Sequence, residues 1–487
     1  MSLGKSSRKF LAKHKTKYLT KYIFGAAIFA LCVPSSVFAE KYTLEDCIKL
    51  AKENRSSVVR ARGDKRNADA LVRQRLSQLI LPNVSATYRN SKSKATDQKT
   101  EDFRTVSFTQ DTALLLDING DTIGVVNPPT NIVQVKEDVT LPDQDRSSSF
   151  FDVSANLTLF DGFSNIHNWK SAKARSKAQD HELDLAEQSI VLDVKINFFA
   201  YLATIQNLQV QEETVKRSQE QLNLVQSRYD VGSASLSDVL KQKVQFGNDN
   251  LSLLEARNAE ATTKADLAFV TGIDVTEDME FDSNYPEVSF DGDLQSALLT
   301  GLNNHPGLLS SRKFESAARY DLKSAYGDYL PSVTGFVSRT WSDGSRADFI
   351  AESIDFSSTS TTWGVNVSWN IFDKLIRERN VVNNRVSLNN ARADRYESNN
   401  RVARDIKKDY LDLQTAIEQV SVSEENVKSA QEDMNLAQEK YNLGSASILE
   451  LLDAQVSLKD AQVTLIRNKF SQNLAVARLQ FKMGVSQ

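Results

Sequence analysis

The chain has few of the residues from which disulfide-stabilised proteins are built, and its main part has no long apolar run. Its 487 residues include two cysteines, eight prolines and four tryptophans. Only Cys47 lies after the leader described below, so we expect no intrachain disulfide in the mature chain. No run of about twenty apolar residues follows residue 39, which argues against a membrane-spanning helix there. A soluble protein, or one that enters an outer membrane as β-strands, remains open.

The sequence also lacks the short motifs of common catalytic sites. It contains no HExxH, no GxSxG and no glycine-rich phosphate-binding loop. The mature part has three histidines, His167, His181 and His305, which do not have the spacing of the zinc motif. We therefore expect a protein that is not an enzyme and that has no cofactor and no metal site.

Residues 1–39 have the composition of a secretory signal peptide. Seven basic residues and no acidic residue accompany an apolar stretch at 22–33, and a small-x-small cleavage site ends at Ala39. A short uncleaved anchor is the alternative, and Leu31 before Cys32 fits a lipoprotein cleavage site poorly. Removal of the seven positive charges would lower the formal net charge from −4 to −11, and such an acidic chain is not expected to bind nucleic acid.

A thirteen-residue segment occurs twice and lies within a long internal duplication. YDVGSASLSDVLK at 229–241 recurs as YNLGSASILELLD at 441–453, and a shift of 212 aligns 151–272 with the second half without a gap. A Leu-Pro-x-Val segment at 81–84 recurs at 330–333. A period of this length indicates two copies of one structural unit and not a solenoid of short repeats.

Each unit contains helical patterns, and the longest have a seven-residue period. Residues from Thr43 to about Ile80 are predicted to be helical, with Thr43 and Asp46 as the start signal. Heptad seams predict coiled-coil helices over about 164–229 and 375–441, each roughly 100 Å long at 1.5 Å per residue. The seam residues are Val194, Tyr201, Leu208, Val215, Leu222 and Tyr229, and Ile406, Leu413, Val420, Val427, Met434 and Tyr441. A second, more polar face fits either a water-filled interior or an ordinary solvated surface.

Alternating apolar and polar residues predict strands. The clearest are at 151–159 and 362–371, and weaker partner strands lie at 84–88 and 333–337. This alternation fits a lipid-facing barrel strand with a polar interior face. It fits equally a half-buried strand of a soluble sheet.

The segments between these strands are polar and are predicted to be long irregular loops, at 91–149 and 342–361. Within the first loop, residues 117–121 resemble the start of a calcium-binding loop, but Thr122 replaces the glycine that such a loop requires. The Asn-Gly pair in this segment is therefore interpreted as a small hairpin turn.

The thirteen-residue segment predicts the turn between two long helices. Gly232 and Gly444 are placed to take the left-handed conformation that ends a helix. Ser235 and Ser447 are candidate N-caps of the following helices, and an acidic residue stands three positions after each, as in a capping box. An ordinary helical-hairpin turn is the alternative interpretation of one copy alone, and the duplication counts against it.

Together these features resemble the TolC-type outer-membrane efflux proteins over essentially the whole mature chain. The resemblance rests on the doubled order of elements, the Leu-Pro-x-Val before each first strand, the Leu-Phe-Asp-Gly at 159–162 and the paired Tyr-x-x-Gly tips. It implies an α+β membrane protein in the outer membrane of a Gram-negative bacterium, with a periplasmic extension. A homotrimer would form one twelve-stranded transmembrane β-barrel, continued by a long periplasmic α-helical coiled-coil barrel.

The resemblance also implies how the internally duplicated chain is divided. The divisions are a signal peptide (1–39), a first repeat (40–292) with a β-hairpin (about 82–160), a long helical hairpin (164–271) and an equatorial segment (273–292), and a second repeat (293–487) with a β-hairpin (about 331–372) and a long helical hairpin (375–484).

In this family the helical tip docks a periplasmic adaptor protein and closes the tunnel like an iris. The residues that match the adaptor-docking tip are Val231, Gly232, Ser233, Ala234, Ser235, Leu443, Gly444, Ser445, Ala446 and Ser447. The residues that match the aperture or gate are Asp238, Tyr441, Glu450 and Asp453. Ala446 stands where the best-known member has an arginine, so that lock contact is not expected here. Helix capping explains Asp238 and Glu450 as well.

The implied function is the exit duct of a tripartite export machine, which receives cargo from an inner-membrane ABC or proton-driven transporter through the adaptor. The absent lipoprotein cysteine and the Leu-Phe-Asp-Gly motif favour type I protein secretion, and multidrug or metal efflux is the alternative. A soluble periplasmic coiled-coil structural or adaptor protein would share the leader and the heptads. It would not need four alternating strands that include Trp363 and Trp369.

Overall fold

Two long helical hairpins and a four-stranded antiparallel sheet are the main parts of the fold. The computed structural model describes residues 41–96, 99–108, 113–126, 131–140, 144–276, 280–282, 289–347 and 353–485. The predicted signal peptide lies outside the described residues.

The helices begin and end close to their predicted limits. They are α1 (Leu44–Asn54), α2 (Ser56–Ile80), α3 (Ser164–Asp230), α4 (Leu236–Thr271), α5 (Leu294–Asn304), α6 (Pro306–Gly327), α7 (Ile376–Asn442) and α8 (Ile448–Met483). α3 and α7, of 67 residues each, confirm the predicted coiled-coil helices. The predicted helix that ends near Ile80 is interrupted at Arg55, whose backbone is extended (φ −69°, ψ 129°). None of the helices in the described part of the chain has the length and apolar character of a membrane span.

The strands confirm the predicted ones and extend beyond them, except that the strand predicted at 362–371 ends at Ser368. They are β1 (Asn83–Ala95), β2 (Lys99–Phe108), β3 (Ala113–Leu116), β4 (Thr122–Val126), β5 (Asn131–Thr140), β6 (Gln144–Phe160), β7 (Ser332–Ala347) and β8 (Ser353–Ser368). The main sheet has the order β1-β6-β7-β8, so β6 and β7 join the two halves of the chain. One face is polar, and there Asp152 accepts hydrogen bonds from Ser338 and Thr340 at 2.5 and 2.8 Å. On the other face the ring centroids of Phe151 and Trp341 lie 5.5 Å apart.

The prediction of irregular loops at 91–149 and 342–361 is wrong for much of both segments. β1 continues to Ala95, opposite Gln144, and β2 with β5 and then β3 with β4 extend the same pairing outwards. In the second segment β7 and β8 remain paired as far as Ala347. These extensions lack apolar alternation because they do not cover a core. They are held by backbone pairing and by contacts between serine side chains, such as Ser91 Oγ to Ser148 Oγ at 2.9 Å.

The outermost turn of the first segment is the predicted hairpin turn. Asp117 N donates to Asp121 O at 2.8 Å, and Gly120 has a φ of +90°. The carboxylate of Asp117 accepts from the backbone N–H of Asn119 at 2.8 Å. The carboxylate therefore stabilises the turn itself, as in an Asx turn.

The corner from strand to long helix has the same backbone in the two halves, with positive φ at residues 162–163 and 374–375, but it is stabilised by different residues. After β6, Gly162 has a φ of +67°, and a Cβ there would lie 2.2 Å from the carbonyl oxygen of Gly327, so the two backbones touch. At the corresponding corner after β8, Lys374 has a φ of +58° without being glycine. There the Asp373 carboxylate accepts from Arg377 Nε at 3.0 Å in a largely buried ion pair, which holds the strained turn in place.

The helical part contains three buried apolar clusters. Two lie about halfway along α3 and α7, where α1 and α5 pack on these long helices. The third, the tip cluster, consists of Val225, Val239, Met434, Ala437, Tyr441, Ile448, Leu451, Leu452, Ala454 and Leu458. The tip cluster joins the two helical hairpins directly behind their turns.

Candidate functional site

The two tips fold in the same way because each carries a glycine with a positive φ, +79° at Gly232 and +73° at Gly444. In the first tip, Gly232 N donates to Tyr229 O and Ser233 N donates to Arg228 O, both at 2.8 Å. This pair of bonds is a Schellman motif, which satisfies the last carbonyl groups of α3. The second tip has the corresponding bonds at 3.1 and 2.9 Å at the end of α7.

Serine caps the helix that follows each tip, but the predicted capping box is complete only in the first. Asp238 N donates to Ser235 Oγ, and Ser235 N donates back to the Asp238 carboxylate, both at 3.2 Å. In the second tip Glu450 N donates to Ser447 Oγ at 3.3 Å. Among the hydrogen bonds of the described residues, the Glu450 carboxylate makes no return bond, so that half of the prediction is wrong. Glu450 is exposed to solvent instead.

The predicted docking residues form two exposed surfaces. Val231 is 79% exposed and Leu443 is 83% exposed, and the serines beside them are exposed as well. Ala234 and Ala446 are half-buried. A Cβ added to either tip glycine would meet no atom within 4 Å. The turns therefore leave open space in which another backbone can approach closely.

The predicted aperture residues lie in different environments. Tyr441 is buried in the tip cluster, and Asp238 is half-buried in its capping box. Glu450 and Asp453 are exposed on the first two turns of α8. Within the described residues neither of these two carboxylates has an ion-pair partner. One chain contributes one copy of each, so a ring of carboxylates at an aperture requires further copies.

Arg228, in the last turn of α3, connects the first tip with the second. Its guanidinium carbon lies 5.0 Å from the centroid of the Tyr441 ring. Nη1 donates to Tyr441 O at 3.5 Å, and Nη2 donates to Asn442 Oδ1 at 3.2 Å. A cation at the C-terminal end of α7 is favourable for the helix dipole, and a planar guanidinium suits a ring face. Burial raises the pKa of Tyr441, and the adjacent Arg228 opposes that rise.

Arg228 is not among the site residues predicted from the sequence. Its contact with Tyr441 joins residues 213 apart, and no local pattern reports which helix ends meet. One signal was present, because a basic residue stands four positions before the tip glycine in both halves, Arg228 and Lys440. A basic residue in the last turn of a helix is common for its interaction with the dipole alone, so this signal is weak.

A polar layer lies behind the tip cluster. Asp249 of α4 is buried and accepts from Gln245 Nε2 at 3.0 Å, and Lys459 Nζ of α8 lies 4.0 Å from its carboxylate. Burial raises the pKa of Asp249, although Lys459 and the hydrogen bonds oppose the rise. The two hairpins are therefore joined by apolar packing at the tip and by polar contacts behind it.

The chain is similar to curated relatives and solved structures that are outer-membrane proteins. The chain is 23% identical over 324 residues to the outer membrane efflux protein BepC of Brucella suis biovar 1 (strain 1330), which covers 66% of this chain and 69% of BepC. It is 22% identical over 344 residues to the outer membrane protein TolC of Salmonella enteritidis, covering 68% of this chain and 69% of TolC. The fold superposes on the Campylobacter jejuni CmeC outer membrane channel with a TM-score of 0.69 at 15% identity, over 91% of this chain and 86% of CmeC.

The family model described as "Outer membrane efflux protein" matches residues 47–273 and 299–485. This match confirms the resemblance found in the sequence and the predicted location in the outer membrane of a Gram-negative bacterium. The family is one of outer-membrane channels, which are not enzymes. The chain belongs to the outer membrane efflux protein family.

Proposed function

We propose that the chain is the outer-membrane exit duct of a tripartite export machine and that it works as a homotrimer. The observation that carries the proposal is the pair of duplicated, exposed tips at the ends of two 67-residue helices. A tip so far from the sheet is suited to meet a partner that stands away from the membrane. Three copies would supply four strands each to a twelve-stranded barrel and four long helices each to a periplasmic tunnel, with two structural repeats per chain.

The sheet supports closure by further copies and contact with lipid. Within the described sheet, β1 and β8 are both edges, and a barrel made from several chains removes such edges. On β8, Trp363, Val365 and Val367 are 79%, 61% and 65% exposed and lie on one face. A band of this kind disfavours a soluble periplasmic coiled-coil protein, because it would leave apolar side chains in water.

The tips are proposed to dock a periplasmic adaptor protein, which connects the duct to an inner-membrane ABC or proton-driven transporter. Glycine, serine and alanine leave little side chain between the tip backbone and a docking helix. The three aperture carboxylates, Asp238, Glu450 and Asp453, are proposed to line the entrance, with Tyr441 holding the hairpins together. Type I protein secretion is favoured by the poor lipoprotein site at Cys32 and by the Leu-Phe-Asp-Gly motif, and multidrug or metal efflux is the alternative.

Photo-crosslinking in cells tests this function and also separates the two kinds of cargo. A photoreactive residue at Ser233 is expected to capture one adaptor protein, and the adaptor's own transporter, ABC or proton-driven, identifies the export class. The same residue at Ser77, on α2, serves as the control and is expected to capture no adaptor. Fractionation should place a heat-modifiable oligomer in the outer membrane. A monomer in the soluble periplasmic fraction would contradict the proposal.

A further inference from the structure

The two halves of the chain have similar apolar residues at equivalent positions of each tip, but these residues are buried only in the second tip. A shift of 212 relates Tyr229, Leu236 and Leu240 of the first hairpin to Tyr441, Ile448 and Leu452 of the second. The second set is buried, with 8%, 4% and 8% of each residue exposed. The first set is 38%, 53% and 54% exposed. Equivalent positions therefore have very different environments in one chain.

The difference has a simple cause, because the second hairpin is covered by α3 of the same chain. α3 packs on α8, and Arg228 at its end lies over Tyr441. In the second repeat, α7 takes the place of α3. Among the described residues, α7 does not pack on α4 of the first hairpin in the way that α3 packs on α8 of the second. If the packing of α3 on the second hairpin is repeated between two copies, α7 of a second copy lies over the first hairpin. An interface between different faces of two copies continues around a ring, as a closed oligomer requires.

The equivalence of the two repeats also predicts which side chains would be in contact between two copies. Lys440 takes the place of Arg228, and Asp230 takes the place of Asn442. The local arrangements match, because Gln226 Nε2 donates to Asp230 Oδ1 at 2.9 Å and Gln438 Nε2 donates to Asn442 Oδ1 at 3.3 Å. Asn442 Oδ1 accepts hydrogen bonds from both Gln438 and Arg228. Asp230, which accepts from Gln226, can accept from a second donor in the same way.

We propose that Lys440 of one copy lies over the Tyr229 ring of the next copy and pairs with the Asp230 carboxylate of that copy. This inference rests on the proposed trimer, in which such contacts would alternate with the Arg228–Tyr441 contacts into a collar of six. The two kinds of contact differ in chemistry. Arg228 engages a ring, a carbonyl and an amide within one chain, whereas Lys440 is a point charge in an exposed ion pair, which salt screens. The collar therefore separates first between copies, and salt promotes that separation.

Three matched pairs of cysteine substitutions and a short bismaleimide test the contact in the full-length protein in detergent. Asp230→Cys with Lys440→Cys probes the proposed contact between copies. Arg228→Cys with Asn442→Cys probes the observed contact within one chain. Asp230→Cys with Lys428→Cys is the negative control, because Lys428 lies roughly 18 Å further along α7. Cys47 is buried and remains in all variants.

The first pair is expected to give linked dimers and trimers on a denaturing gel, and the yield should fall as salt is raised. The second pair should react without forming larger species, and the third should give none. Native mass spectrometry of the same samples reports assembly independently. A trimer in which the first pair gives no ladder would overturn the proposed contact and leave the duct intact. A monomer by native mass would overturn both.

Discussion

Replacing Arg228 with glutamine perturbs a side-chain contact that joins the two tips. Glutamine keeps N–H donors but removes the charge, so the cation–π contact at 5.0 Å and the interaction with the end of α7 are lost. A partly buried cation–π contact contributes about 0.5–2 kcal/mol, and a cation at a helix C-terminus contributes about 0.3–1 kcal/mol. Both act through one guanidinium, so we take about 2 kcal/mol in total and not their separate maxima.

Amide hydrogen exchange measures this loss where it acts. The amides of Leu451 and Leu452 lie in the tip cluster, which must open for them to exchange. A loss of about 2 kcal/mol corresponds to an exchange rate about 30-fold higher at these amides. The amide of Cys47, in a separate cluster near the middle of α3, should exchange at an unchanged rate.

Lys428→Gln is the matched control for this measurement. Lys428 is an exposed cation of α7 that has no ion-pair partner among the described residues, so its replacement removes the same charge without a contact. If Arg228→Gln exchanges at the tip no faster than Lys428→Gln, the contact does not hold the hairpins together and the reasoning is refuted. Faster exchange throughout the chain would instead indicate general destabilisation.

The remaining predictions concern docking, the aperture and pH. Leucine at either tip glycine should abolish export, because its bulk occupies the open docking space and a positive φ strains it, while the oligomer still forms because no neighbouring atom lies within 4 Å of the added Cβ. Leucine at Gly63, a helical glycine that also faces open space, should leave export unchanged. Neutralising the aperture carboxylates should remove both cation selectivity and block by divalent ions, measured as reversal potential and conductance of the variant Asp238→Asn, Glu450→Gln, Asp453→Asn. Because burial raises the pKa of Asp249, its contribution to stability is present below the unfolded-state pKa and is lost as pH rises through the folded-state pKa. Asp249→Asn should therefore raise Tm at neutral pH and raise it less at about pH 4. An equal rise at both values would show that ionisation of Asp249 has no part in it.

The helices were predictable because their ends carry local signals. Gly232 and Ser235 mark a stop and a start that depend only on backbone sterics and on one side-chain oxygen, and α3 ends within a residue of the predicted limit. The heptad seam predicted the length of α3 and α7, because buried apolar residues repeat with the turn of a coiled coil.

The strand extensions and the contact between tips were not predictable in this way. The outer part of β1 is polar on both faces, so no alternation distinguishes it from a loop, and its register is fixed by a partner strand about fifty residues later. The Arg228–Tyr441 contact depends on how two coiled coils pack, which a single-helix pattern does not contain. The missing return bond of Glu450 was not predictable either, because the sequence fits the capping-box motif whether or not the carboxylate turns back to the N-cap.

The most direct test of the duct is the conductance of the purified protein in planar bilayers. Protein taken from the outer-membrane fraction is expected to form low-conductance, cation-selective channels, because Asp238, Glu450 and Asp453 supply carboxylates at the proposed aperture and Ala446 supplies no positive charge to offset them. Divalent cations at millimolar concentration should reduce that conductance, since they bridge carboxylates. Folded protein that gives no channels, or channels that prefer anions, would contradict the account.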